Sequence, residues 1–391
     1  MPRLLLLTPS ELTRDPRARR AARAARGLGF DVVGLSGRVS GEAPAALDGV
    51  AVTRVGPEGR TKAHHEEGRP PRRNTAMREV RGLVRLARLG LRTLDLWRGG
   101  RTLGGVDVVH ANDLDTLPAA WLLARRSGAR LVYDAHELYS EFDQHPARAY
   151  RALALALEGA LARRADAVAT VSEPIARELV ERLGLRSRPI VVLNAPDLDP
   201  REPVPGARDA PLRVGYHGSF GPGRPLDDLL RATALAPSIH LTLRVVRFGV
   251  DELRAEIVRR GLAERVDVLP PVAPDGLMDA LRGLEVGVIF DRPQSRNSEL
   301  SLPNKLFEYL MAGLAVVAPR LPGNASIVEG EGVGRAFDAG SPEALGRVLE
   351  ELAADRDALV ELRRRAHRLA VERYNAGTQS TALAAAWGAT R

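Results

Sequence analysis

Short apolar runs alternate along most of the chain with longer stretches in which apolar positions recur every three or four residues. The short runs suit strands buried on both faces, and the longer stretches suit helices with one apolar side. Strands separated by helices in this way form parallel sheets covered by helices. The predicted strands are 3–8, 32–35, 106–111, 131–134, 167–171, 190–193, 213–216, 241–246, 266–269, 286–290 and 315–318. The helices predicted in the first half are 17–27, 116–127, 148–164 and 173–184.

One stretch interrupts this alternation. Residues 195–211 contain five prolines and almost no periodicity, which is typical of a linker. The chain has 391 residues, enough for two domains of ordinary size. We therefore predict an α/β protein of two doubly wound domains, 1–204 and 205–374. Such sheets bind ligands at the carboxyl ends of their strands, and two that face each other enclose a cleft.

The segment S-L-P-N-K-L-F-E-Y-L-M-A-G, residues 301–313, predicts a helix with an anion-binding start. Pro303 has no N–H to lose and suits a helix beginning, and Gly313 suits its end. Unpaired N–H groups at a helix N-terminus attract phosphate, and Lys305 adds a full charge there. Glu308 lies one turn further on, where a carboxylate accepts hydrogen bonds from a ribose diol. The alternative is an ordinary helix–strand unit with a surface Lys and a surface Glu.

Composition excludes several classes of protein. Hydrophobic residues make up 45% of the chain, which favours a packed core over disorder. Without Cys there is no disulfide, no thiolate nucleophile and no Cys-type zinc site. The apolar run 4–7 is followed by Pro9 and Glu11, which indicates a first strand rather than a signal peptide. No apolar stretch approaches the length of a membrane span, and we expect a cytoplasmic protein.

The net charge of +8 is concentrated in one region, where residues 69–101 contain ten Arg against Glu79 and Asp95. A basic chain can bind nucleic acid, but aromatic residues make up 4% and no nucleic-acid motif is present, so we expect no such partner. Five arginines recur at three- and four-residue steps along one helical face, and apolar residues between Val80 and Leu94 cover much of the other side. Such a helix either lies on an anionic membrane or packs on the protein with a solvated Arg face. The five are Arg78, Arg81, Arg85, Arg88 and Arg92.

Polar residues follow two predicted strands, where this architecture places function. His and carboxylates are metal-ligand types, but these lack a fixed ligand spacing, and Asp and Asn are also frequent helix caps. We therefore expect no metal. The residues are His110, Asn112, Asp113, Asp134, His136 and Glu137.

The segment P-N-K-L-F-E-Y-L-M-A-G-L-A-V-V-A, residues 303–318, resembles the donor-site signature of GT-B glycosyltransferases, most closely the retaining family 4. The resemblance implies the GT-B architecture, with a C-terminal helix in 375–391 that crosses back onto the first domain. The family usually carries two Glu separated by seven residues. Glu308 matches the second, and the first falls on Leu300, with Glu299 one place away. The donor-binding residues implied here are Pro303, Asn304, Lys305 and Glu308.

In the first domain, V-V-H-A-N-D (108–113) and L-V-Y-D-A-H-E (131–137) resemble strand-end segments of family 4. A family His that faces the donor sugar maps onto His136, which would hydrogen-bond a sugar hydroxyl as a catalytic residue. The alternative is a capped, solvent-facing His. The D-P-R loop (15–17) resembles that of one family branch, so Arg14 or Arg17 would meet an anionic acceptor, with Asp113 on the acceptor side. Both arginines are equally well placed as solvated residues at a helix start.

The loop Y-H-G-S-F-G-P-G-R, residues 216–224, follows a predicted strand, and its Gly residues let a backbone approach phosphate closely. In the family, Arg and Lys of this loop clamp the diphosphate. Arg224 lies near the Lys position, and Ser219 stands where Arg is common; Gly218 completes the donor side. Arg247, after the next strand, either supplies the missing cation or is a surface Arg.

The resemblance implies a hexosyltransferase-type enzyme that uses a nucleotide-diphospho-sugar donor, with retention and without metal or other cofactor. The helix N-terminus, Lys305 and Arg224 would stabilise the departing diphosphate in place of a metal. The implied acceptor is a cell-envelope glycan or lipid-linked sugar, as in polysaccharide biosynthesis, with the enzyme cytoplasmic or peripheral at the inner membrane face. Two alternatives remain: a sugar-nucleotide epimerase, with His136 and Glu137 as the acid–base pair, and a non-catalytic scaffold of the same fold.

Overall fold

The computed structural model describes residues 1–9, 11–12, 15–39, 46–47, 49–59, 75–141, 147–221, 223–245 and 249–388. The chain forms two compact units. Unit 1 consists of Met1–Leu193, Ser295–Ser301 and Gln379–Arg391. Unit 2 consists of Asn194–Gln294 and Leu302–Thr378.

Unit 1 is built on a parallel sheet with helices on both faces, as the apolar pattern predicts. Its strands are β1 (Arg3–Thr8), β2 (Asp31–Val39), β3 (Ala46–Leu47), β4 (Val50–Gly59), β5 (Val108–Asn112), β6 (Arg130–Ala135), β7 (Ala167–Thr170) and β8 (Ile190–Val191). Its helices are α1 (Pro16–Gly27), α2 (Thr75–Gly100), α3 (Leu117–Ser127), α4 (Arg148–Ala162), α5 (Glu173–Leu183), α9 (Arg296–Leu300) and most of α14 (Ala376–Trp387), with a short 3-10 helix at Tyr139–Glu141. The strand order is β3-β4-β2-β1-β5-β6-β7-β8, and only β3 is antiparallel to its neighbour.

The central strand β1 shows why unit 1 folds as a covered sheet. Leu4 and Leu6 pack into the core on one face, and Leu5 and Leu7 pack into the core on the other. All four are fully buried, so the run of leucines serves both faces at once. The strand order reverses between β1 and β5, which places the predicted ligand edge of unit 1 at the carboxyl ends of these strands.

Unit 2 repeats the architecture with six parallel strands. Its strands are β9 (Leu212–Gly218), β10 (Ile239–Val245), β11 (Val266–Leu269), β12 (Val286–Val288), β13 (Ala315–Pro319) and β14 (Gly334–Phe337). Its helices are α6 (Leu226–Leu235), α7 (Val250–Arg259), α8 (Leu277–Arg282), α10 (Asn304–Met311), α11 (Pro322–Val328), α12 (Pro342–Ala354) and α13 (Arg356–Glu372), with a short 3-10 helix at Pro274–Gly276. The order β11-β10-β9-β12-β13-β14 reverses between β9 and β12.

The Pro-rich segment belongs to unit 2 rather than joining the units as a loose linker. The Asp199 carboxylate accepts a hydrogen bond from Arg282 at 2.6 Å. The buried Arg363 donates to the carbonyls of Val204 (2.8 Å) and Gly313 (3.0 Å). These contacts explain why the division between the units falls after Leu193, ahead of the predicted boundary at 204/205.

Two pieces of the second half of the sequence pack in unit 1. The segment Ser295–Ser301 includes the short helix α9, and Gln379 begins the C-terminal piece. The side chain of Trp387 is buried in unit 1, where its indole Nε1 donates to His110 Nδ1 at 3.0 Å. Within the described residues, no helix has both the length and the hydropathy needed to span a membrane.

Candidate functional site

In unit 2, the predicted donor-side residues gather at the carboxyl end of β9. Gly218 ends that strand with a φ of 135°, a backbone conformation that side chains disfavour. A Cβ added to it would lie 3.3 Å from Lys305 Nζ and 3.2 Å from Tyr216 Oη. Gly at this position therefore leaves room for the Lys305 ammonium beside the strand.

Lys305 is held at the N-terminus of α10. Its side chain is 8% exposed, and its Nζ lies 4.3 Å from the centroid of the Tyr216 ring, which is a cation–π contact. The Tyr216 hydroxyl in turn donates to the Ser219 carbonyl at 2.6 Å. Pro303, the residue before the helix, supplies no side-chain cap, and Asn304 is exposed. The helix start thus combines its own partial positive charge with a nearby ammonium, an arrangement suited to an anion.

Glu308 has a partner that the sequence reasoning missed. Its Oε2 lies 3.1 Å from Nε2 of His217, the residue before Gly218, and both side chains are partly exposed. The His217 ring packs edge-on against Tyr309, with the ring centroids 5.3 Å apart. Burial raises the pKa of the Tyr309 phenol well above its usual value, so the phenol stays neutral. His217 precedes the Gly-rich turn at the end of its strand, and that placement is the signal that identifies it.

Arg224 closes the loop after β9. Its Nε donates to the Asp291 carboxylate at 2.6 Å, and its backbone exchanges two hydrogen bonds with Gly221. Asp291 follows β12, so this ion pair joins the loop after β9 to the end of β12, the two strands between which the strand order reverses. Arg247, the other predicted donor-side cation, lies outside the described residues, and nothing tests its role.

In unit 1, a buried ion pair joins α1 to the end of β6. Asp15 caps α1 by accepting from the N–H groups of Arg17 and Ala18. Arg17 then reaches Asp134 with two hydrogen bonds of 2.6 and 2.8 Å, and its remaining arm donates to the Val192 carbonyl at 2.7 Å. The structure therefore gives Arg17 a role different from the predicted acceptor contact, because its guanidinium is buried and bonded. Arg14 lies outside the described residues.

His136 lies between two carboxylates. Its Nδ1 is 3.1 Å from Asp113 Oδ1, and its Nε2 is 3.3 Å from Asp134 Oδ2. Burial by itself lowers the pKa of His136, but the charges of Asp113 and Asp134 outweigh it and raise that pKa from 6.5 to about 10. The pKa of Asp134 is held well below its usual value, because Arg17 and His136 outweigh the effect of burial. The ring is therefore an imidazolium at neutral pH.

Asp113 has a backbone φ of 70°, which is uncommon for a residue other than Gly. The turn directs the Asp113 carboxylate to His136. Burial alone would raise the pKa of Asp113, but the positive charge of His136 and its hydrogen bond outweigh burial and lower that pKa. Such strain is frequent at functional sites. The structure thus brings Arg17, Asp113 and His136 into one cluster, extended by Asp134.

The other strand-end polar residues of unit 1 have structural partners. The buried Asn112 donates to the Leu7 carbonyl at 2.8 Å, and His110 accepts from Trp387. Glu137 accepts a hydrogen bond from Asn297 of α9. No group of His, Asp and Glu side chains in the part of the chain described has the arrangement of a metal site.

The position of the first family Glu is filled by a core residue. Leu300 is 2% exposed and packs in the hydrophobic core of unit 1, and its carbonyl accepts from the Ser172 hydroxyl at 2.9 Å. Glu299 instead pairs with Arg296 at 3.0 Å. A carboxylate at position 300 would be buried in that core, so the apolar residue follows from the packing of α9.

Two family models match the chain. "Glycosyltransferase Family 4" matches residues 17–199, and "Glycosyl transferases group 1" matches residues 211–355. A curated relative, the D-inositol 3-phosphate glycosyltransferase of Mycolicibacterium gilvum, is 26% identical over 272 residues. That match covers 64% of the chain and 59% of the relative, less than two thirds of its length.

Solved structures share the fold over nearly their whole length. Sucrose-phosphate synthase from Thermosynechococcus elongatus has a TM-score of 0.71 at 15% identity, covering 99% of this chain and 98% of that one. HepE from Anabaena, in complex with UDP, has a TM-score of 0.71 at 17% identity and full coverage of both chains. A further structure of HepE holds UDP-glucose. At these identities the likeness shows the fold alone.

Proposed function

Since the chain is a GT-B glycosyltransferase of the family 4 type, we propose that it transfers a sugar from a nucleotide-diphospho-sugar to an acceptor, with retention and without a metal. The observation that carries the donor class is the cradle at Gly218, Lys305 and the N-terminus of α10. Its chemistry suits a diphosphate, and HepE, which shares the fold, binds UDP and UDP-glucose.

The cradle supplies what the leaving group needs. As the bond to the sugar breaks, negative charge grows on the departing diphosphate. In this proposal the Lys305 ammonium and the N–H groups at the start of α10 face such charge before it develops, so little reorganisation is required during the reaction. Gly218 lets the diphosphate approach the backbone closely. Arg224, fixed by Asp291, is the second cation that we propose for the diphosphate.

Glu308 is the residue that we propose for the ribose diol. A carboxylate accepts both diol hydrogen bonds, and its contact with His217 fixes its orientation before the donor binds. His217 is therefore a positioning residue. The buried Tyr309 ring packs behind the His217 ring, and this contact holds the His217–Glu308 pair in place beside Gly218 and Lys305.

His136 is the residue of unit 1 that we propose for the donor sugar. Because its pKa is raised, His136 is charged and does not act as a general base; to donate to a sugar hydroxyl, its Nε2 would exchange the longer of its two carboxylate contacts, that to Asp134 at 3.3 Å, for the substrate. Asp113 fixes the ring from one side and Asp134 from the other. For the acceptor we propose a cell-envelope glycan or a lipid-linked sugar.

The test is a donor screen followed by a transfer assay. We expect UDP or another nucleoside diphosphate to raise the melting temperature of the full chain, because a ligand that binds the folded state stabilises it by mass action. We expect sugar release or transfer from the matching donor to persist after metal stripping and EDTA. Loss of activity that magnesium or manganese restores would contradict the metal-free mechanism.

Product analysis separates the remaining alternatives. An epimerase would convert the nucleotide sugar into its epimer without an acceptor. A scaffold, which Leu300 in place of a Glu favours, would bind nucleotide and release no sugar. Retention is checked by the anomeric configuration of the product.

A further inference from the structure

Helix α2 packs on unit 1 along one of its faces. Gly82 lies against α4 so closely that an added Cβ would be 2.7 Å from the Ala147 Cβ. Leu89 and Leu96 are buried on the same side of α2. Further along, Gly99 lies against Val55 of β4 and Gly100 against Leu123 of α3, so the C-terminal end of α2 also packs on the unit. The apolar residues of α2 that stay exposed lie between positions 80 and 94.

A second contact fixes the orientation of α2. The Glu79 carboxylate accepts from the backbone N–H groups of Arg148 at 2.8 Å and Ala149 at 3.3 Å. It thereby caps the N-terminus of α4, whose own preceding residue provides no side-chain cap. The outward side of α2 is consequently a defined surface.

The outward side carries an apolar stripe. Its six members fall within a sector of about 100° on a helix of 3.6 residues per turn. The sequence left two arrangements open, a basic amphipathic helix on a membrane or a helix packed on the protein with a solvated Arg face. The structure leaves these apolar residues exposed. The members are Val80 (54% exposed), Leu83 (57%), Val84 (43%), Leu91 (65%), Leu94 (38%) and the exposed Ala87.

Arginines lie along one edge of the stripe, and the partly buried Asp95 near that edge is turned against Gly56 of β4. Arg81 and Arg88 are exposed along the edge of the stripe and make no ion pair among the described residues. Arg85 lies over the Tyr150 ring at 5.6 Å, and Arg92 pairs with Asp115. The exposed positions of α2 between 80 and 98 include no Asp or Glu. The side chain of Arg78 lies outside the described part.

We propose that α2 docks the protein on an anionic lipid surface, with the apolar stripe inserted at the interface and Arg81 and Arg88 against lipid phosphates. The charge pattern favours this occupant over a second copy of the chain. A two-fold contact would bring the same stripe together with its own arginines, and the carboxylate of α2 near that edge, Asp95, is partly buried rather than presented to a partner. A bilayer of anionic lipid satisfies both the apolar stripe and its flanking charge.

The experiment is co-sedimentation of the full chain with vesicles of phosphatidylcholine, or of phosphatidylcholine and phosphatidylglycerol in equal parts. It is run at about 0.1 M and about 1 M salt, where the Debye lengths are roughly 10 Å and 3 Å. One variant, Leu83→Ser/Leu91→Ser, removes apolar surface. The other, Arg81→Gln/Arg88→Gln, removes charge. The matched controls are Leu235→Ser/Val258→Ser and Arg364→Gln/Arg368→Gln, which change exposed residues of unit 2.

We expect binding to anionic vesicles that weakens at high salt. The Arg variant should lower the partition coefficient by about fivefold per residue, and the Leu variant by roughly tenfold or more. Both controls should bind like the wild type, and circular dichroism melting should show all variants folded. Because no donor or acceptor is present, the result is independent of the transfer reaction.

Two results would overturn the proposal. One is no binding to anionic vesicles at low salt, or binding that ignores lipid charge. The other is a concentration-dependent dimer in sedimentation velocity that Leu83→Ser/Leu91→Ser abolishes in the absence of vesicle binding, which would make the stripe a self-association surface.

Discussion

The two candidate sites lie at equivalent places in their sheets but balance charge in different ways. In unit 1, the cations Arg17 and His136 alternate with the carboxylates Asp134 and Asp113, so the cluster neutralises itself. In unit 2, the Lys305 ammonium lies on an aromatic ring beside a helix N-terminus, and both carry positive charge. The first site therefore balances its charges among its own side chains, whereas the second gathers positive charge in a form that suits a bound anion. Changes in unit 1 should act mainly on stability, and changes in unit 2 mainly on ligand binding.

The largest expected effect is that of Asp134→Asn. It leaves the buried Arg17 guanidinium without its charge partner, and breaking a buried pair in this way costs about 3–5 kcal/mol. Urea denaturation monitored by circular dichroism measures the loss. Asp357→Asn, which removes an exposed partner of Arg208, is the control and should cost less than about 0.5 kcal/mol. A loss below about 1 kcal/mol for Asp134→Asn would contradict the comparison.

Lys305→Arg should show that unit 2 depends on the shape of its cation. The chain has only two lysines, Lys62 and Lys305; its other permanently charged basic side chains are arginines. A compact ammonium fits between Gly218 and the Tyr216 ring, whereas a planar guanidinium needs more room. We expect kcat/KM for the donor to fall roughly a hundredfold, as for loss of a main transition-state donor. Unfolding free energy should change little, and near-wild-type kinetics would show that charge alone suffices.

Glu308→Gln should lower donor kcat/KM by roughly tenfold, as loss of a charged hydrogen bond implies. His217→Phe keeps the edge contact with Tyr309 and removes the nitrogen that faces Glu308, so we expect a fall of about threefold. The double variant should lose no more than Glu308→Gln alone, because His217 acts through Glu308. Glu343→Gln, an exposed carboxylate that pairs with Arg231, is the control. Multiplied losses in the double variant would make His217 an independent contact.

A further effect, comparable in size to that of Asp134→Asn, is the pH dependence of stability contributed by His136. Its pKa rises from 6.5 to about 10 on folding, so its stabilising contribution is full below pH 6.5 and is lost as the pH rises through about 10. The stability difference between wild type and His136→Gln should therefore shrink from pH 6.5 toward pH 10. Burial raises the pKa of Glu158 to about 7, so this residue also titrates in the range. Because Glu158 is present in both proteins, its contribution cancels when the stability of His136→Gln is subtracted from that of the wild type. A difference that stays constant over this range would contradict the imidazolium.

The sequence predicted the architecture well, because local patterns determine it. The leucines of β1 and the Pro303–Gly313 helix signals depend on neighbours a few residues away, and the structure confirms the parallel sheets that they predict. The strands β3, β4 and β14 were not predicted. Candidate site residues could be identified from the sequence as polar residues that follow predicted strands or that belong to recognised motifs. This works because parallel strands place their carboxyl ends along one edge of the sheet.

What the sequence could not provide are partnerships between distant residues. Arg17 was expected either to meet an anionic acceptor or to be solvated at the helix start, but its bidentate contact joins it to Asp134, far away in the chain. Leu300 is apolar because α9 packs in unit 1, although the chain on either side of Ser295–Ser301 belongs to unit 2. The orientation of α2 depends on the fit of Gly82 against α4, which a hydrophobic pattern does not encode.

The cap that Glu79 places on α4 makes the backbone amides of Arg148 and Ala149 native reporters on α2. Helix-start amides exchange their hydrogens rapidly with water unless something covers them, and here the cover comes from another helix. Transient lifting of α2 would expose these two amides while the rest of α4 stayed protected. The hydrogen–deuterium exchange rate of these two amides therefore measures how often α2 lifts from α4, separately from unfolding of the unit and without a label on the protein.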